Sequence, residues 1–305
     1  MLASERGEIG LPDAIELLRG GGRAIDAVEL AVRAAERNPD DHWVGIGGIP
    51  NLLGVLELDA SIMDGRTRAV GAVGAVRGFA HPISIARKVL EELPQHVFLV
   101  GEGAERFAQE TGFEPEETLT DEATRIWREG LGKPSWTGAE SDGDRRYREA
   151  VLDLAQRLPA PDGPLGTVNV LALDRFGDLC VGVSTSGYPW KYPGRIGDSP
   201  IVGAGNYCDN RSGAAACTGR GELAIRASTA RTVVSLLRSG LGPEEACLEA
   251  LRDASSLADE FRAPLNALAL APDGHHGAAA THAGATYAVM TEDMDEPEIR
   301  ERAVL

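Results

Sequence analysis

The chain has 305 residues, enough for one large domain or two ordinary ones, and its 43% hydrophobic and 25% charged content excludes wholesale disorder. A formal net charge of -17 without any basic run argues against nucleic acid and anionic membrane as partners. No apolar run approaches the roughly 20 residues that a bilayer span needs, so no membrane partner is expected.

In chain order, residues 11–19 and 25–37 carry apolar side chains at helical spacing, separated by the breaker Gly20-Gly21-Gly22. Residues 67–73 are a short β-branched run, 83–93 read as a helix and 96–100 as a buried strand. Two helical patterns follow over 102–111 and 121–129. Residues 133–144 are polar and rich in Gly, Pro, Ser and Asp, which predicts a loop; a helix over 145–158 and a Pro/Gly breaker over 159–164 come next. The character then changes. Residues 167–173 and 178–185 read as strands joined by a hairpin turn at Phe176-Gly177. One long helix is predicted over 221–238 and another over 243–257. Strands over 266–271, 278–281 and 286–291 close the chain, the first two joined by the turn Pro272-Asp273-Gly274. This order is neither alternating nor all-β, and it fits two packed sheets with helices on their outer faces. The breaker before Thr167 is either a domain boundary or a loop leading to a processing point.

Several patterns carry little chemistry. Cys180, Cys208, Cys217 and Cys247 form no C-x-x-C pair, so neither a zinc site nor a disulfide framework is expected. Met1 is followed by no apolar signal region, and Glu5, Arg6 and Glu8 arrive at once, which predicts a cytoplasmic protein. Gly71-Ala72-Val73-Gly74 lacks the rest of a phosphate loop and reads as a tight turn. His275, His276 and His282 cluster without the spacing of helical zinc ligands. Asp59 and Asp64 are candidate paired carboxylates, although Asp64 before Gly65 reads as a turn residue. Ser186 stands where a nucleophile elbow needs glycine.

The stretch from Gly166 to Glu222 is different. A strand opens at Thr167 directly behind the breaker, and Ser184-Thr185-Ser186-Gly187 ends the next strand. Pro193-Gly194-Arg195-Ile196-Gly197-Asp198-Ser199-Pro200 and Ala215-Ala216-Cys217-Thr218-Gly219 follow, setting charged and hydroxyl groups on glycine-rich segments. These residues resemble the N-terminal-nucleophile hydrolases of the asparaginase-2 type, which include glycosylasparaginase and isoaspartyl peptidase/L-asparaginase. Thr167, Thr185, Arg195, Asp198, Thr218 and Gly219 stand at the family's spacings. The segments 58–65, 71–76 and 99–104 also resemble the family, so the likeness covers nearly the whole chain.

The resemblance implies an α+β fold, the four-layer αββα sandwich. It implies one catalytic domain over 1–305, cut at Gly166-Thr167 into chains 1–166 and 167–305. Thr167 would be the nucleophile, and its freed α-amine, with a reference pKa of about 7.7–8.0, would be its base. Thr185 would orient Thr167. Arg195 would clamp the substrate carboxylate and Asp198 its ammonium. Thr218 hydroxyl and Gly219 N–H would form the oxyanion hole. No metal and no organic cofactor is implied. The partner is a small-molecule aspartyl amide, and the assembly a homodimer of processed αβ units.

Gly213-Ala214-Ala215-Ala216 and Gly47-Gly48-Ile49-Pro50 resemble the glycosylasparaginase branch, whereas Gly166 before the nucleophile resembles the asparaginase/isoaspartyl branch. Leu2-Ala3-Ser4-Glu5 lacks the tryptophan that lines the glycosylasparaginase pocket. The expected activity is N4-(β-N-acetylglucosaminyl)-L-asparaginase-like. L-asparaginase or isoaspartyl dipeptidase is the alternative, and a non-enzymatic aspartyl-binding homologue a further one.

Overall fold

The computed structural model describes residues 1–130, 151, 155, 166–261 and 263–305. The expected loop over 133–144, the breaker over 159–164 and all but Val151 and Ala155 of the expected helix over 145–158 lie outside the described residues.

Strand propensity and burial agree best around the hairpin after Gly166. Strands β5 (Val168–Leu173) and β6 (Leu179–Thr185) pair antiparallel, and nearly all their residues are buried. The Asp174 carboxylate closes their turn by accepting the N–H groups of Phe176 and Asp178 at 2.9 and 3.0 Å. To one side of this hairpin lie β1 (Leu2–Ser4), β11 (Thr286–Val289) and β12 (Glu298–Glu301). To the other lie β2 (Leu58–Asp64), β3 (Val70–Val76) and β4 (Phe98–Val100). Together they make an eight-stranded sheet in the order β12-β11-β1-β5-β6-β2-β3-β4. A five-stranded sheet has the order β13-β10-β9-β8-β7, built from β7 (Asn206–Asp209), β8 (Gly213–Gly219), β9 (Leu265–Leu270), β10 (His276–Ala280) and β13 (Ala303–Val304).

The period-two alternation of strands sorts their side chains into separate cores. Val168, Val170 and Ala172 join a cluster with helices α1 (Leu11–Arg19), α2 (Ala24–Glu36), α3 (Pro82–Glu92) and α4 (Gly101–Glu110). Val181 and Val183 point the other way and meet Ala214, Ala216 and Leu268 of the smaller sheet. Ala215, Cys217, Ala267 and Ala269 face α6 (Gly221–Ala227), α7 (Thr229–Arg238) and α8 (Pro243–Ser255). A further helix, α5 (Asp121–Gly130), buries only Ala123. The chain is thus mixed α and β, with its strands collected into two sheets. No helix among the described residues is long and apolar enough to cross a membrane.

Three expectations need correction. Residues 96–100 contain a strand, but β4 lies at the sheet edge with Phe98 and Val100 exposed, so its apolar run is not buried. Residues 221–238 form two helices because Ser228 adopts φ +51, a left-handed conformation that ends α6 and starts α7. Gly71 to Gly74 lie inside β3 and not in a turn.

Candidate active site

Thr167 stands at the mouth of β5, one residue before its first ladder partner. Its hydroxyl donates to Thr185 Oγ1 at 3.2 Å. Thr185 ends the neighbouring strand β6, so the hairpin register brings the two threonines together. Thr185 Oγ1 also accepts the Gly187 N–H at 2.9 Å and donates to the Gly166 carbonyl oxygen at 3.1 Å. The Trp43 carbonyl lies farther from the same hydroxyl, at 3.4 Å, so the Gly166 carbonyl is the nearer of two acceptors for its one proton. Behind Thr167, Ser4 Oγ donates to the Thr167 carbonyl and accepts the Asn169 N–H, both at 2.9 Å, tying β1 to β5. Gly166 is held tightly: a Cβ there would sit 2.1 Å from Trp43 Cβ, so any larger residue must displace the tryptophan or the chain.

Two clefts open on either side of Thr167, and both include Gly166. The first is lined by Thr185, Tyr188, Arg195, Asp198 and Gly219. Arg195 Nε and Nη2 donate to Glu222 Oε1 at 3.0 and 2.8 Å, and its guanidinium carbon lies 4.1 Å from the Tyr188 ring centroid. Arg195 and Asp198 make no salt bridge with each other; the ion-pair partner of Arg195 is Glu222. Asp198 is 4% exposed, and its Oδ2 has no hydrogen-bond partner. Burial pushes its pKa up to about 7, only partly offset by the nearby Arg195 charge. Arg220 supports Glu222 from outside this lining, bonding it at 2.7 Å and both Asp259 oxygens at 3.0 and 3.1 Å. Beneath this loop Lys191 Nζ donates to the Glu57 carbonyl at 3.0 Å and lies 3.8 Å from Asp59 Oδ2. Asp59 is therefore a buried counter-charge to a lysine, not one of two paired carboxylates.

The second cleft is lined by Ser4, Thr218, Asn266, His282 and Arg302 around Thr167. Thr218 and Gly219 end β8 and face different clefts, Thr218 the second and Gly219 the first. Asn266, opposite Thr218 in the β8–β9 register, donates from Nδ2 to Thr218 Oγ1 at 3.2 Å. The Thr218 hydroxyl proton is therefore free to point elsewhere. Gly219 has φ +112, and a Cβ there would meet the Pro264 carbonyl oxygen at 2.1 Å, so only glycine fits.

All six motif residues thus gather around Gly166 and Thr167. Of the three histidines only His282 reaches the site, in the second cleft; His275 pairs with Asp273, and His276 stacks edge-on against Tyr287. Among the described residues no cluster of His, Cys, Asp and Glu could hold a metal. Asp64 works as a turn residue, accepting the N–H of Thr67 at 3.2 Å. The four cysteines are free and buried, and burial raises the Cys217 thiol well above its ordinary value, so it is no competing nucleophile. Sequence reasoning missed Ser4, Tyr188, Glu222, Asn266 and Arg302 as site residues. Only Glu222 had a signal, its place at the end of the Thr-Gly-Arg-Gly-Glu motif.

Residues 10–298 match a protein-family model described as Asparaginase. The N(4)-(Beta-N-acetylglucosaminyl)-L-asparaginase of Elizabethkingia miricola is 39% identical over 239 residues, which cover 78% of this chain and 64% of that protein, just under two thirds of its length. The plant-type L-asparaginase of Thermococcus kodakarensis is 37% identical over 285 residues, covering 93% of this chain and 88% of that protein. An isoaspartyl peptidase/L-asparaginase of Mus musculus is 39% identical over 241 residues, covering 78% of this chain and 68% of that protein.

Proposed function

The chain belongs to the asparaginase family of amidohydrolases, and on that premise we propose that it cuts itself between Gly166 and Thr167 and then hydrolyses the side-chain amide of aspartyl compounds. The observation that carries this reading is the Thr185 hydroxyl, bonded at once to Thr167 Oγ1 and to the Gly166 carbonyl oxygen. It sits where it orients the attacking oxygen and polarises the carbonyl to be attacked. We further assign the three cores to an αββα layering, helices outside and sheets inside. Thr167 then lies at one end of the sheet-to-sheet core, within a single domain.

In the first reaction Thr167 Oγ1 bonds to the Gly166 carbonyl carbon as the Gly166–Thr167 C–N bond breaks. The hydroxyl proton passes to the departing nitrogen. Water hydrolyses the resulting ester, leaving the Gly166 carboxyl and a free α-amine on Thr167. That amine has a reference pKa of about 7.7–8.0 and can take the hydroxyl proton near neutral pH. In the second reaction Thr167 Oγ1 attacks the substrate's side-chain carbonyl. Thr218 hydroxyl and Gly219 N–H hold the oxyanion, the amine leaves with the proton, and water releases aspartate. Arg195 takes the α-carboxylate with the guanidinium edge that Glu222 leaves open. Asp198, unpartnered at Oδ2, takes the α-ammonium. These groups bind, orient and move protons without calling on a metal or an organic cofactor.

N4-(β-N-acetylglucosaminyl)-L-asparagine, L-asparagine and isoaspartyl dipeptides share this aspartyl half and differ in the amine that leaves. The lining of the second cleft, with no Trp, Tyr or Phe among its described residues, favours a small or ionised leaving group over a sugar. The long matched spans of the plant-type L-asparaginase support the same choice. The test is a kinetic panel of the three substrates on one purified enzyme. Hydrolysis of asparagine or a β-aspartyl dipeptide ahead of the glycosylated substrate is expected. The reverse order would restore the glycosylasparaginase-like reading, and inactivity on all three would remove the enzymatic one.

A further inference from the structure

The second cleft holds a cation that the reactions above do not use. Arg302 follows β12 and is 6% exposed. Its backbone N–H bonds the Ala285 carbonyl at 2.9 Å. Its Nε donates to the Thr286 carbonyl at 2.8 Å and its Nη1 to the Ala267 carbonyl at 3.2 Å. Nη2 has no hydrogen-bond acceptor and the guanidinium no salt bridge among the described residues. Burial lowers its pKa only to about 10, so it stays charged at neutral pH. Glu5, which lines the same cleft, supports the charge from a distance but makes no ion pair with it, and a buried cation without a bonded anion is costly. A purely structural role, clipping β9 to β11, explains Nε and Nη1 but leaves Nη2 without a reason.

Of the other charged groups of the cleft, Arg6 Nη1 pairs with Asp41 at 3.1 Å, while Glu5, exposed, accepts the Thr286 N–H at 2.8 Å and leaves the Arg302 donors free. Two further buried atoms facing this region, His282 Nδ1 and Asn266 Oδ1, have no hydrogen-bond partner. A carboxylate meets the unused donors of Arg302, and a peptide N–H meets the Asn266 oxygen. Thr167 and Thr218 belong to the same cleft, so whatever amine departs from Thr167 departs next to these groups.

Resting on the reading of Thr167 as nucleophile, we propose that the second cleft is a leaving-group subsite in which Arg302 binds a carboxylate. The substrate class that fits is the β-aspartyl dipeptide with a free C-terminus, the departing amino acid carrying the carboxylate that Arg302 receives. Arg302 is then a specificity residue that reads the leaving group, while Arg195 reads the aspartyl half.

The experiment compares β-aspartyl-glycine with β-aspartyl-glycinamide, and with L-asparagine, on the wild-type enzyme. A preference for the free acid over the amide of about 10- to 100-fold in kcat/KM is expected, the range for a charge-assisted hydrogen bond. Arg302→Met should shrink that preference to about twofold or less, and Arg302→Lys should keep part of it. Equal rates for acid and amide, or a faster amide, with asparagine still hydrolysed, overturn the subsite and leave the amidohydrolase reading standing. Inactivity on all three overturns both. If Arg302→Met does not fold, Arg302→Lys carries the assignment, and a variant that keeps the full wild-type preference overturns the role of Arg302.

Discussion

The two clefts that flank Thr167 are built in opposite ways. In the first, Arg195 is committed beforehand, bonded to Glu222 and stacked on Tyr188, so its orientation is set before any ligand arrives. Its acidic neighbour Asp198 is buried with one oxygen unpartnered. In the second, the cation Arg302 rests on backbone carbonyls alone. A fixed fork suits a part of the substrate that never varies, and an unfilled one suits a part that does. On the proposed reading, the contrast gives Thr167 two recognition surfaces with different tolerances.

The largest effect that can break this comparison comes from Thr218, whose side chain faces the second cleft while the neighbouring Gly219 faces the first. Thr218→Ala is expected to lower kcat by about 100- to 1,000-fold with little change in KM, because an oxyanion donor acts mainly in the transition state. Steady-state kinetics on asparagine checks this. A loss confined to KM would make Thr218 a ground-state contact of the leaving group instead.

A smaller effect sharpens the first cleft. Asp198 binds an ammonium only when ionised, and its pKa is pushed up to about 7 by burial. KM should therefore rise as pH falls below about 7, approaching about tenfold per pH unit, while Asp198→Asn shows a high, flat KM. The sign for stability is opposite. Because the folded pKa lies above the ordinary value, the ionised carboxyl is the costly form, and its contribution to stability declines as pH rises through about 7. Parallel pH profiles of KM and of urea unfolding separate the two. A KM that does not move across that window would remove Asp198 from ammonium binding.

The same contrast explains what the sequence makes legible. Arg195, Asp198, Thr218 and Gly219 are close in sequence and sit on glycine-rich segments, where the family resemblance marks them. The β5–β6 hairpin is equally plain from its two apolar runs and its turn. Ser4, Asn266, His282 and Arg302 are single polar residues far apart in the chain, with no period or motif between them. They meet because β1 lies beside β5, because β9 and β10 of the smaller sheet bring Asn266 and His282 to the same cleft, and because Arg302 follows the edge strand β12. Such long-range pairing has no local signature. Strand β8 was hidden for another reason: Ala214, Ala215 and Ala216 are poor strand formers in isolation. They serve here because both faces of β8 are covered, one by the other sheet and one by helices, leaving room only for small side chains. The break at Ser228 depends on one left-handed residue that helical periodicity cannot register.

The central claim is that Thr167 becomes an N-terminus, and intact-mass spectrometry of purified, aged protein tests it most directly. Two chains, the second beginning at Thr167, are expected from wild type, and one uncut chain from Thr167→Ala. A wild-type protein that remains a single chain, or one cut at any other bond, would contradict it.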